Sequence, residues 1–126
     1  MSARVFVHDD RVTIDLDGLD RLWCLASHIE LPVEHITGAR IEPIGDAKAD
    51  LGWRVGGGYW PGVLATGWFT VRGRKGARQW WCTYRDDEVL VIDTDLPSPT
   101  RVVLQHPDRE FLAWVIGERA GGRVPS

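Results

Sequence analysis

The stretch VLATGWFTVRGRKGARQWWCTY, residues 63–84, decides the fold class. Small and apolar residues recur at positions 63, 65, 67, 69 and 71, so they share one face of a predicted strand, with Trp68 on the other. A second alternation follows the turn signals Gly73 and Gly76, and three of its side chains share a face: Trp80, Cys82 and Tyr84. Two such strands joined by a glycine-containing turn predict a β-hairpin.

The same period of two continues on both sides of this hairpin. Residues 5–7 and 12–16 predict an N-terminal hairpin across Asp9 and Asp10, and residues 89–92 and 101–104 predict two further strands. In all we expect six to eight antiparallel strands, arranged as a sandwich or barrel. Residues 45–62 are glycine-rich and are expected to form a long connection.

Two segments have helical spacing instead. Residues 18–26 suit one or two helical turns, and residues 107–120 predict a longer helix that begins at Pro107 and ends before Gly121-Gly122. Four apolar side chains of this C-terminal helix are expected to face the sheet: Phe111, Leu112, Val115 and Ile116.

The composition of the 126 residues, 44% hydrophobic and 26% charged, fits one globular domain, predicted at 1–120 with a flexible tail at 121–126. No apolar run approaches the ~18 residues of a membrane span, and the first residues lack the apolar segment of a secretory signal. We therefore expect a cytoplasmic protein in which Cys24 and Cys82 stay reduced.

Four segments in this order resemble the small bacterial pleckstrin-homology-like (PH-like) domains: IELPVEHI at 29–36, LGWRVGG at 51–57, PGVLATGWF at 61–69 and HPD at 106–108. The resemblance runs from about Arg4 to Arg119. It implies a PH-like antiparallel β barrel or sandwich of about seven strands, capped by the C-terminal α-helix. It also implies a scaffold that binds proteins or lipids rather than an enzyme.

Charge is unevenly distributed along the chain. The net charge of −3 argues against general nucleic-acid binding. Residues 9–20 carry five aspartates against Arg11, a net charge of −4, whereas residues 72–78 carry four cations and no acid: Arg72, Arg74, Lys75 and Arg78. This basic hairpin is either an anion site or a solvated turn. Eukaryotic PH domains often bind phosphoinositides at the first hairpin loop, which here, at 8–11, is acidic on balance, so a membrane lipid is disfavoured there.

Seven tryptophans are far more than a chain of this length usually carries. Because Trp80 and Trp81 are adjacent on a strand, they must point to opposite faces, and one of them is expected outside the barrel. Either the tryptophans form a surface for a protein partner or a second copy, giving a possible homodimer, or they pack under the glycine-rich loop and the helix. Five are candidates for this interaction surface: Trp53, Trp60, Trp68, Trp80 and Trp81.

Signatures of catalysis and metal binding are weak. His28 and Glu30 share a strand face, but no two cysteines have ligand spacing, no serine lies in G-x-S-x-G, and Gly56–Gly58 lacks the G-K-[ST] of a P-loop. We therefore expect no catalytic residues, metal or cofactor. The predicted function is a non-catalytic interaction domain for protein binding or self-association. The alternative is a module that binds an anionic head group or small anionic ligand at the membrane surface, held by the basic hairpin at residues 72–78 and the Trp53–Trp60 loop.

Overall fold

A computed structural model describes residues 4–16, 28–60, 64–84 and 88–121 of the chain. Within these ranges the protein is mainly β, with nine strands: β1 (Arg4–Val7), β2 (Arg11–Asp15), β3 (His28–Pro32), β4 (Ile36–Pro43), β5 (Leu51–Trp60), β6 (Leu64–Val71), β7 (Arg74–Tyr84), β8 (Glu88–Thr94) and β9 (Arg101–Leu104). The α-helices of the same ranges are α1 (Ile44–Ala47) and α2 (Arg109–Gly121), and 3-10 turns cover Val33–His35 and Lys48–Asp50. The helical turns predicted at 18–26, Cys24 and most of the predicted tail lie outside the described residues.

The first three strands form a small antiparallel sheet in the order β1-β2-β3. Val12 pairs with Leu31 and Ile14 pairs with Ile29, so these four side chains share the face that turns toward the core. Thr13 and the strand neighbours that alternate with it lie on the opposite face. The predicted N-terminal hairpin is confirmed as β1 and β2.

The other six strands form one sheet in the order β4-β8-β9-β7-β6-β5, in which one pair is parallel. β8 runs antiparallel to β9, and β9 runs parallel to β7. The prediction of six to eight antiparallel strands is therefore wrong in count, and it is wrong in direction only for the pair β7 and β9. The sheets of the described residues do not close into a barrel. Alternation shows which face a side chain takes but not which strands are neighbours, so it gave no sign that β9 inserts between β7 and β8.

Both faces of the six-stranded sheet are covered. Trp80 packs in the core between this sheet, the small sheet and α2, whereas Trp81 packs in a second core on the other face. The prediction that Trp80 and Trp81 take opposite faces is confirmed, but both are 0% exposed, so neither lies outside. The second core is completed by Ala47 of α1 and by Leu51.

The C-terminal helix is present but is oriented differently from the prediction. α2 packs against β4 and β8 through Leu112 and Ile116, which are buried as predicted. Phe111 is instead 63% exposed, because positions 112, 116 and 120 form the buried stripe and position 111 falls about 100° away from it. Among the described residues, no helix is long and apolar enough to cross a bilayer.

The glycine-rich segment predicted as a connection contains α1, a 3-10 turn and the strand β5. Gly57 pairs with Gly67 on β6, and both have positive φ angles, 109° and 99°. A Cβ on Gly57 would lie 2.7 Å from the Cα of Gly67, so the two backbones approach closely only because neither residue has a side chain. Glycine here permits a close strand pair. A glycine-rich composition is also typical of a loop, so the sequence predicted a connection where the structure has a strand.

Ile116→Ala and Phe111→Ala test which face of α2 is buried. Removing the buried Ile116 side chain is expected to lower the free energy of unfolding by about 2–5 kcal/mol, since it leaves a cavity. Phe111→Ala, the control on the exposed face, should change it by less than about 0.5 kcal/mol. Urea denaturation of both variants measures this, and equal losses would contradict the packing of α2.

Candidate basic groove

A β-bulge at the start of β5 creates the most distinctive surface feature. Leu51 pairs with Val71 and Arg54 pairs with Phe69, so β5 contains one more residue than β6 over this step. The N–H of Trp53 donates to Oγ1 of Thr70 at 2.7 Å, which holds the bulge in place. Bulges re-aim side chains, and here the indole of Trp53 is 84% exposed.

Two adjoining cavities, which we call the basic groove, lie around this bulge. The larger lobe has a volume of about 600 Å³ and is lined by Lys48, Leu51, Gly52, Trp53, Arg54, Phe69 and Arg72. The smaller lobe has a volume of about 340 Å³ and is lined by Leu51, Gly52, Trp53, Thr70, Val71, Arg72 and Gly73. Phe69, 1% exposed, sets its ring edge-on to Trp81 at a centroid distance of 6.3 Å, so the groove rests on the second core.

A buried polar network supports the strands beneath the groove. The side-chain amide of Gln79 donates to the carbonyl oxygen of Thr70 at 2.9 Å, next to the bulge. Its oxygen accepts from Nε1 of Trp81 at 2.8 Å and from Arg101 at 3.2 Å. Because a buried amide with several partners has few alternative orientations, Gln79 fixes β6 against β7 at this point.

The charged side chains that line the groove, among those the structure describes, are all cationic. Among the side chains that the structure describes, no carboxylate lines either lobe, and none pairs with Arg54, Arg72, Arg74 or Lys75. Several other arginines of the described residues do form ion pairs, such as Arg119 with Asp9 at 2.9 Å. The unbalanced cations are thus gathered at one end of the six-stranded sheet, where they create a positive potential.

The predicted basic hairpin contributes only in part to this groove. Arg72, in the turn between β6 and β7, lines both lobes, whereas Arg74 and Lys75 are exposed on the hairpin and line neither. Arg78 is half-buried, and its backbone N–H donates to the carbonyl oxygen of Pro97 at 2.9 Å. The sequence did not single out Lys48 or Arg54. Arg54 lies at the bulge and Lys48 lies in the 3-10 turn before β5, and neither feature has a signature in residue spacing.

The predicted tryptophan surface is largely absent from the described surface. Trp80 and Trp81 are fully buried, because both faces of the six-stranded sheet are covered and neither ring reaches the solvent. Trp68 is half-buried against the main core, and the side chain of Trp60 lies outside the described residues. Of the five candidate tryptophans, Trp53 is the one with a described side chain that is exposed.

A different aromatic surface lies on α2. Phe111 and Trp114 are each 63% exposed, and their ring centroids lie 6.4 Å apart. The sequence pattern concealed this pair, because Phe111 was counted in the stripe facing the sheet. The two residues are three apart, which places them side by side on the outer face of the helix.

The His28 pair singled out in the sequence forms a surface ion-pair cluster. Nδ1 of His28 lies 2.5 Å from Asp15 and Nε2 lies 3.2 Å from Glu30. The hydrogen bond to Asp15 has the largest effect on the pKa of His28, and together with the hydrogen bond to Glu30 it raises this pKa above its ordinary value. No group of three potential metal ligands occurs among the described residues.

No family model matches the chain, and no curated protein or solved structure matches it. The basic groove must therefore be interpreted from its own geometry.

Gly52→Ala tests whether the bulge depends on a missing side chain. A Cβ at Gly52 would lie 2.7 Å from the carbonyl oxygen of Thr70, so β5 and β6 would have to separate there. We expect a loss of about 1–3 kcal/mol in unfolding free energy. Gly45→Ala is the control, since nothing lies within 4 Å of its added Cβ, and it should be neutral or slightly stabilising. Urea denaturation compares the two, and an unchanged stability of Gly52→Ala would contradict the tight bulge.

Proposed function

We propose that the protein is a non-catalytic, PH-like binding domain that holds an anionic ligand, a small anion or an anionic head group, in the basic groove. One observation carries the proposal: Arg54 and Arg72 line one concave lobe, and among the described side chains no carboxylate lines that lobe or pairs with either arginine. A mainly β architecture with a C-terminal helix is compatible with the PH-like resemblance and supports a scaffold role.

The concave shape of the basic groove distinguishes its cations from those of an exposed, solvated turn. Exposed charge pairs contribute only about 0–1 kcal/mol each, because water and salt screen them. A groove lined by one sign of charge focuses its field, and several cations can contact one anion at once. Since the whole chain carries a net charge of −3, anions should be attracted to this groove and not to the protein surface in general.

Binding of inorganic pyrophosphate tests the proposal. We expect the backbone amides of residues 51–54 and 69–73 to shift in NMR spectra on titration, with an affinity that falls steeply as salt rises. The double variant Arg54→Gln, Arg72→Gln should lose about tenfold in affinity or more, because each cation contributes about 1 kcal/mol.

The matched control is Arg11→Gln, Arg119→Gln, which removes the same charge from arginines that are paired with Asp10 and Asp9. It should bind pyrophosphate almost as the parent protein does. Equal losses in both double variants would show a general charge effect and reject the groove. Amide shifts confined to the exposed hairpin residues Arg74 and Lys75 would also reject it.

Self-association is the second candidate, and the exposed Phe111–Trp114 pair favours it. Two copies that packed α2 against α2 would bury both rings, and aromatic side chains are enriched at such interfaces. We expect light scattering to show a dimer at high concentration that Phe111→Ser, Trp114→Ser converts to monomer. A monomer at all concentrations would exclude this candidate, and a dimer that persists in the variant would place the interface elsewhere.

A further inference from the structure

The two lobes of the basic groove differ in character. The larger lobe contains Lys48, Arg54 and Arg72, whereas Arg72 is the one cation among the described residues that line the smaller lobe. Trp53 and Arg72 line both, so they stand at the boundary between a strongly cationic space and a weakly charged one. A ligand that fills the groove should therefore have an anionic part and an uncharged part.

The boundary residue Trp53 indicates what the uncharged part is. An indole that is 84% exposed leaves a large flat apolar surface in water, and a planar ring stacked on it would remove that surface. An alkyl chain would need enclosure on several sides. The smaller lobe instead offers the Thr70 hydroxyl and the backbone at Gly52 and Gly73, with Val71 mostly buried.

We infer that the basic groove binds a nucleoside phosphate, with the base stacked on Trp53 and the phosphates in the larger lobe near Arg54 and Arg72. The inference rests on the proposed anion site and specifies its ligand class. The volumes of about 600 and 340 Å³ lie within the range of ligand sites for molecules of this size. Stacking on an aromatic side chain accepts any base, so the geometry assigns the class and not the base.

A membrane surface is the main rival, because Val55 on β5 and the hairpin cations Arg74 and Lys75 on β7 are all exposed. The nucleoside phosphate accounts better for the groove itself. A flat bilayer would be attracted by protruding cations, whereas Arg54 and Arg72 line a concavity together with the buried Phe69.

Three probes separate the parts of the ligand: ADP, inorganic pyrophosphate and adenosine, each titrated calorimetrically into the full chain. We expect ADP to bind about tenfold more tightly than pyrophosphate, since base stacking adds to the phosphate contacts, and adenosine to bind most weakly. Trp53→Leu should abolish the tenfold advantage of ADP over pyrophosphate, because the ring on which the base stacks is gone. Trp114→Leu, which alters a second exposed tryptophan far along the chain on α2, should leave both affinities unchanged.

The failures of the two proposals are distinguishable. Equal affinities for ADP and pyrophosphate, both reduced by Arg54→Gln, Arg72→Gln, would overturn the nucleoside phosphate and keep the anion site. Absence of binding by either anion would overturn both. Sedimentation with vesicles of equal parts phosphatidylserine and phosphatidylcholine, without a preference for ADP over pyrophosphate, would assign the surface to a membrane. Loss of the ADP advantage in Trp114→Leu as well as in Trp53→Leu would also overturn the stacking role of Trp53.

Discussion

Strand β9 lies between β8 and β7, and all four of its residues, Arg101–Leu104, are buried. Its hydrogen bonds to β8 and β7 join the two halves of the large sheet, so its backbone groups are satisfied without water. Val102 and Leu104 enter the main core, and Val103 enters the second core. Arg101 is accommodated because Gln79 and Glu42 lie 3.2 and 3.7 Å from its guanidinium. Both cores therefore depend on the same short strand.

A sheet covered on both faces determines where function can lie. Trp80 and Trp81 become packing residues on opposite sides of β7, and the broad surfaces that an open sheet would offer to a partner are occupied. Among the described residues, accessible polar chemistry is left to strand ends, turns, the outer face of α2 and the outer face of the small sheet, where His28 pairs with Asp15 and Glu30. The basic groove forms at such an end, where β5 and β6 meet the turn containing Arg72. Its floor, Phe69, belongs to the second core, so the groove has a rigid base.

The period-two pattern predicted the strands well where one side chain face is apolar and the other is not, as in β2 and β6. It was less informative for residues 51–60, because glycine has no side chain that could show the alternation. A glycine such as Gly57 is also equally typical of a loop and of a close strand pair. It could not give strand order, since the parallel pairing of β9 with β7 depends on contacts between distant segments. For the site, the charge run found Arg72, and the count of tryptophans found Trp53. Arg54 was missed because it lies at a bulge that is held by a hydrogen bond to Thr70, and Lys48 was missed because it lies in the 3-10 turn before β5.

The same bulge also affects how readily the edge strand β5 can pair with a strand of another molecule. β5 is the last strand of the large sheet, and a long flat edge invites pairing with the edge of another molecule. Register shifts occur on both sides of Arg54, so the edge is irregular where Trp53 and Val55 expose apolar surface. Over residues 51–56 this irregularity discourages regular backbone pairing with another strand, so side chains are the main means of recognition there. The irregularity that discourages edge-to-edge association is thus the one that turns Trp53 outward beside the cations of the basic groove.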